Sequence, residues 1–148
     1  MAWTNIGKTK MFEAVFNSSS LPAYFCLQLA TSDSGTWNAD LSSTSQVTLV
    51  SEGGGYVASG ERLDRDTAFF TVTQNDDSDF GQAALAQSID WSATPAGSGI
   101  NDIHYVMLTD DNADANDKTI WAWWSLGADV DIPAEARFIV NSASLKAT

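Results

Sequence analysis

The chain has one cysteine, Cys26, and one histidine, His104, among its 148 residues. A single thiol closes no intrachain disulfide, so it carries no information about an oxidising compartment. One imidazole without a second His or Cys leaves most zinc ligand sets and nucleophile–base pairs incomplete. Basic residues are also scarce. Lys8, Lys10, Arg62, Arg65, Lys118, Arg137 and Lys146 face 19 acidic residues, for a formal net charge of -12. Non-specific nucleic-acid affinity comes from Lys and Arg displacing counterions, so DNA, RNA and anionic membranes are poor partners. No apolar run approaches the ~20 residues that span a bilayer. The opening Met1-Ala2-Trp3-Thr4-Asn5-Ile6-Gly7-Lys8 lacks the apolar core of a signal peptide. These absences lead us to expect synthesis in, and release from, a cytoplasm. The acidic exterior favours solubility and complements a basic patch on a protein partner.

Against these shortages stand a hydrophobic fraction of 44%, six Trp and seven Phe, enough for a real core without disulfides. One domain over 1–148 is expected, with 1–22 forming an N-terminal arm and a short helix. In Lys8 to Phe16, the apolar residues Met11, Phe12, Val15 and Phe16 gather on one helical face, and Asn17 to Ser20 with Pro22 end the pattern. So short a helix cannot bury that face alone. It should cap the open end of a β core or dock onto a neighbouring subunit.

From Tyr24 onward, β-branched and aromatic runs alternate with polar punctuation. The expected strands are Tyr24 to Leu29, Gln46 to Val50, Ala68 to Thr73, Ala83 to Trp91, Ile103 to Leu108, Thr119 to Leu126 and Ala136 to Leu145. Gly53-Gly54-Gly55 before Tyr56-Val57 reads as a turn or bulge rather than a phosphate loop, since no Lys-Ser/Thr and no helix follow. Segments 94–99 and 110–117 read as surface loops. The fold class is all-β, a jelly-roll-like antiparallel β-sandwich of about eight strands, with a seven-stranded immunoglobulin-like sandwich as the nearest competitor.

Candidate chemistry is sparse. Asp110, Asn112 and Asp114 alternate as hard Ca²⁺ requires, but Ala115 replaces the turn glycine of an EF-hand loop and Trp121 its bidentate Glu. Asn and Asp are also ordinary turn residues, and the turn reading is preferred here and at Asn75 to Asp79. Asp90, beside Ile89 and Trp91, is the one carboxyl with the apolar neighbours a general acid needs; a strand-end cap is preferred. His104 reads as a structural hydrogen-bonding group, and Cys26 as a small core hydrophobe. Neither a cofactor nor a catalytic residue is expected. Strict alternation in Trp121-Ala122-Trp123-Trp124 puts Trp121 and Trp123 on one face and Trp124 on the other. We expect an intersubunit contact there, ahead of carbohydrate stacking on Trp37 or Trp124.

Several segments together resemble small virion structural proteins of tailed bacteriophages. They are the opening Met1 to Lys10, the helix ending in Val15-Phe16, the strand Tyr24 to Thr31, Gly53-Gly54-Gly55-Tyr56, Ile89-Asp90-Trp91, His104 to Asp110 and the closing strands from Ile120. The resemblance spans nearly the whole chain. It implies a non-enzymatic jelly-roll protein on the capsid exterior, a decoration or cement protein that bridges major capsid subunits, with a tail or fibre component as the alternative. It implies the major capsid protein and the chain itself as partners, as a homotrimer, with Trp3, Lys8, Lys10, Trp121 and Trp124 as interface residues.

Overall fold

In the computed structural model, which describes residues 2–17, 19–33, 36–65, 69–75, 80–86, 88–92, 99–141 and 144–147, the chain folds into antiparallel strands and one α-helix. The elements in order are β1 (Ala2–Trp3), α1 (Asn5–Phe16), β2 (Tyr24–Ala30), β3 (Glu61–Asp64), β4 (Phe70–Asn75) and β5 (Phe80–Leu85). They continue with β6 (Ile89–Ser92), β7 (Ile100–Thr109), β8 (Ile120–Ile132), β9 (Arg137–Val140) and β10 (Ser144–Ala147). A five-stranded sheet runs β1-β8-β7-β2-β3, and the remaining strands form β10-β5-β4 and β6-β9. Every strand pairing is antiparallel.

One buried cluster joins the three sheets. Leu27, Leu29, Leu63, Val106, Leu108 and Ala122 of the large sheet meet Ile89 and Trp91 of β6, with Phe70, Leu85, Phe138 and Val140 packed against them. The protein is therefore an all-β antiparallel sandwich with one short helix. Burying apolar faces of opposed sheets is what stabilises such an architecture, and no disulfide contributes.

Three expected strands differ from what is observed. Gln46 to Val50 does not form a strand. A single 3₁₀ turn spans Thr44–Gln46, where the Ser43 and Gln46 side chains form a capping box, and Leu49 makes only an isolated bridge to Ala30. Local hydroxyl and amide caps compete with ladder pairing here. The segment instead covers the second face of the large sheet, where Trp37, Val47 and Leu49 pack on Ala30, Met107 and Ile120. The run 83–91 is divided between β5 and β6, and 136–145 between β9 and β10, which lie in different sheets. The short strands β1 and β3 were not expected. Residues 76–79 and 94–98 of the two expected loops lie outside the described residues.

The glycine turn is present. Gly54 and Gly55 take φ of 54° and 82°, and Gly53 and Tyr56 exchange backbone hydrogen bonds of 3.1 and 2.8 Å. The turn drives Tyr56 inward to 2% exposure. Because β3 pairs with β2 only from Tyr24 to Leu27, Leu29 lies beyond the end of that ladder. Tyr56 takes over: its hydroxyl accepts from the Leu29 N–H at 3.0 Å and donates to the Leu29 carbonyl at 3.4 Å. Burial pushes the Tyr56 phenol up to about 12 from an ordinary value of 10.0. Tyr56→Phe leaves the buried Leu29 N–H without that acceptor, and urea denaturation should show a loss of ~1–3 kcal/mol. A raised phenol means its contribution is complete below pH 10 and declines as pH rises through about 12. The wild type should lose that increment over this interval while the Phe variant does not; parallel alkaline stability curves would refute the assignment.

Candidate functional site

Helix α1 is fixed to the large sheet by its first turn. Thr4 is the N-cap, fully buried; its hydroxyl accepts from the Gly7 N–H at 3.0 Å and donates to the Ile120 carbonyl, while its own N–H donates to the Trp121 carbonyl at 3.0 Å. Asn5 ties the start of the helix to the 31–50 segment, its N–H bonding the Ala39 carbonyl at 2.7 Å and its side chain Asp40 at 2.9 Å. Gly7 permits the approach: a Cβ there would sit 2.5 Å from the Trp121 carbonyl oxygen.

That docking divides the apolar face read from the sequence. Met11 packs against the core, whereas Phe12, Val15 and Phe16 point to solvent at 62%, 68% and 76% exposure. The Phe12 and Phe16 rings stack on each other with centroids 6.1 Å apart. Gly7 and Met11 set the inner face; at 100° per residue Phe12 and Phe16 fall on the outer one, while Val15 lies at the margin beside Met11 and is exposed in the last turn. Lys8 shares the outer stripe and, among the described residues, makes no ion pair. The helix holds two of the seven basic residues and only one, Glu13, of the 19 acidic ones.

The tryptophan strand departs from strict alternation. In the β7–β8 ladder Leu108 faces Ala122 and Thr109 faces Ile120, so Trp121 is the extra residue of a β-bulge. The bulge turns Trp121 into the main core at 2% exposure, edge-on to Phe25 at 5.1 Å, with Trp124 packed against the same cluster. Trp123 lies on the opposite face, meeting Trp37 and Tyr105. The expected grouping of Trp121 with Trp123 is thus corrected. Of the five expected interface residues, Trp3, Trp121 and Trp124 pack within the protein. Lys10 lines a polar cleft of about 660 Å³ beside Glu13, Leu21, Asp111 and Trp121, and Lys8 is exposed. The Trp37 ring lies face-on to Tyr105 at 3.6 Å, which covers one of its two faces.

The 110–117 loop is organised by its own side chains and by a lysine. Asp110, Asn112 and Asp114 each accept from the N–H two residues on, at 3.2, 3.0 and 2.9 Å, the Asx-turn arrangement. Two loop carbonyls, of Asp110 at 3.1 Å and of Asn112, accept from the Lys118 ammonium, which is 2% exposed and 3.7 Å from the Cys26 sulfur. The Lys118 backbone N–H bonds the Thr44 hydroxyl at 2.9 Å. Beneath it, buried Gln28 accepts from Thr109 at 2.8 Å and donates to the Ala58 carbonyl at 2.6 Å. Burial pushes the Cys26 thiol up, partly offset by the nearby ammonium, so this thiol is unreactive.

The remaining polar candidates are each engaged in a pair. His104 Nδ1 lies 2.6 Å from Asp129 Oδ1, and Ser32 donates to the other oxygen of Asp129 at 3.3 Å. The carboxylate sits between the hydroxyl and the imidazole, so the His cannot take the Ser proton as a triad requires. The hydrogen bonds from His104 and Ser32 hold Asp129 below the usual carboxylate range. Asp90 forms a two-point ion pair with Arg137 across β6 and β9, so both of its carboxylate oxygens are engaged. Among the described residues no three His, Cys, Asp or Glu side chains form a metal-binding group, and no helix is long and apolar enough to cross a membrane.

Sequence reasoning placed the helix and the acidic loop but missed Thr4, Gly7 and Lys118. The signals are present, if short: an N-cap residue type directly before a helix, a glycine inside it, and one cation closing a loop of oxygen ligands. No protein-family model matches the chain, and no curated protein is detectably similar to it.

Proposed function

We propose that this chain is a non-enzymatic virion structural protein of a tailed bacteriophage, a decoration protein on the capsid exterior that bridges major capsid subunits and associates with its own copies. The observation that carries this reading is the solvent-facing stripe of Phe12, Val15 and Phe16 on a sandwich whose described polar groups form no catalytic arrangement. Such a stripe marks a protein–protein contact. The resemblance of the sequence supplies the setting. The strongly acidic body supports contact with a basic patch of the shell, where burying interface between neighbouring capsomers raises the cost of separating them. Electron cryo-microscopy of the intact particle of the encoding virus tests this. Density for the chain in regular copies over the head is the expected result. Density only in the tail would reject the decoration role, and absence from the particle would reject the virion reading.

A further inference from the structure

We propose that the Phe12–Val15–Phe16 stripe is covered by the same stripe of a second copy of this chain, the two α1 helices packing antiparallel about a two-fold axis through Phe12. The proposal rests on the virion reading for its setting alone; the pairing itself follows from the helix. At their exposures the three side chains present roughly 350–400 Å² of apolar surface, as much as the largest patch of an ordinary monomer. Two such faces bury less than the ~1,200 Å² of a stable interface, so the pair is weak and concentration-dependent.

Register and charge select the second copy. In an antiparallel pair centred on position 12, Phe16 of one helix faces Lys8 of the other and Val15 faces Thr9. Lys8 is exposed and, among the described residues, without an ion pair, so its ammonium is free to sit over the facing Phe16 ring. Each copy carries a net charge of -12, and approach through any acidic face is opposed. The helix, with two lysines against one glutamate, is where two copies meet with least repulsion. A basic partner would be drawn to the acidic body and away from Lys8 and Lys10.

Sedimentation velocity of the full chain from about 1 µM to about 500 µM tests the pairing. A monomer–dimer equilibrium is expected, tightening severalfold as salt rises from about 0.01 M to about 0.3 M, because screening relieves the repulsion between acidic bodies. Phe12→Asp should weaken it at least ~100-fold while circular dichroism stays that of the folded sheet. For register, Phe12→Cys should oxidise to a linked dimer, and Lys8→Cys and Phe16→Cys chains, mixed, should link to each other; native Cys26 is too buried to compete. A chain that stays monomeric throughout, a dimer indifferent to Phe12→Asp, or a trimer would overturn the proposal. If Phe12→Asp abolishes particle binding while the wild type remains monomeric, a foreign partner covers the stripe and the virion reading survives. A dimer formed by a chain absent from particles leaves the pairing and removes the virion setting.

Discussion

Trp121→Ala is expected to lower the free energy of unfolding by roughly 3–5 kcal/mol, the cost of removing a fully buried aromatic ring and leaving a cavity. The ring is 2% exposed and meets Phe25 edge-on at 5.1 Å. Its indole N–H has no partner among the described residues, so the loss comes from packing rather than from orphaned polar groups. Typical domains have a stability of ~5–15 kcal/mol, so this single truncation removes roughly a fifth of it at least and most of it in a marginal domain. The effect should reach the helix, because Gly7 abuts the Trp121 backbone and Thr4 bonds its carbonyl. Urea denaturation should show the loss, and amide exchange over 5–16 should accelerate more than exchange in β2. Phe16→Ala, at an exposed site, should stay within about 0.5 kcal/mol at micromolar concentration. A loss below ~1 kcal/mol at Trp121 would mean that the bulge does not anchor the core.

Much of the fold was legible because alternation is a direct record of which face is buried. Tyr24 to Leu29 reads as a strand with one apolar face and becomes β2; Ile103 to Leu108 lies inside β7. The pattern failed where local chemistry competes with pairing. Gln46 to Val50 alternates, but the hydroxyls and the Gln46 amide before it cap their own backbone, and its apolar residues cover the sheet instead of extending it. It failed again at Trp121, since a bulge inserts one residue and reverses every face assignment after it without any signature in residue type.

The site was less legible than the fold for a related reason. Helical periodicity gathers Met11, Phe12, Val15 and Phe16, but it does not say which side meets the sheet. Gly7 decides that, since only a residue without a Cβ tolerates a carbonyl oxygen at 2.5 Å. Once Gly7 faces inward, Phe12 and Phe16 must face out, and the exposed aromatic surface lies on the helix rather than on the tryptophan strand. The spacing in 110–117 likewise read as a turn in preference to a Ca²⁺ site, without revealing that Lys118 closes the loop.

Lys118→Met should destabilise the protein by roughly 2–4 kcal/mol, and the sign needs argument because a buried ammonium is itself costly. Removing it relieves that desolvation. Against this, the carbonyls of Asp110 and Asn112 lose charge-assisted donors, each worth ~1.5–3 kcal/mol, and the loop loses the one cation among Asp110, Asp111, Asp114 and Asp117. The penalty dominates because the buried ammonium is already compensated by two carbonyls, and a methionine methyl can bond neither, leaving both without that donor. Thermal denaturation should show the drop, with proteolysis opening first within 110–117. Calcium and chelator should leave the melting temperature of the wild type unchanged within about 1 °C, since the Asp110, Asn112 and Asp114 side chains each cap an amide and the two inward carbonyls hold Lys118. A calcium-dependent rise of several degrees in the wild type would reverse this account and make the loop a metal site.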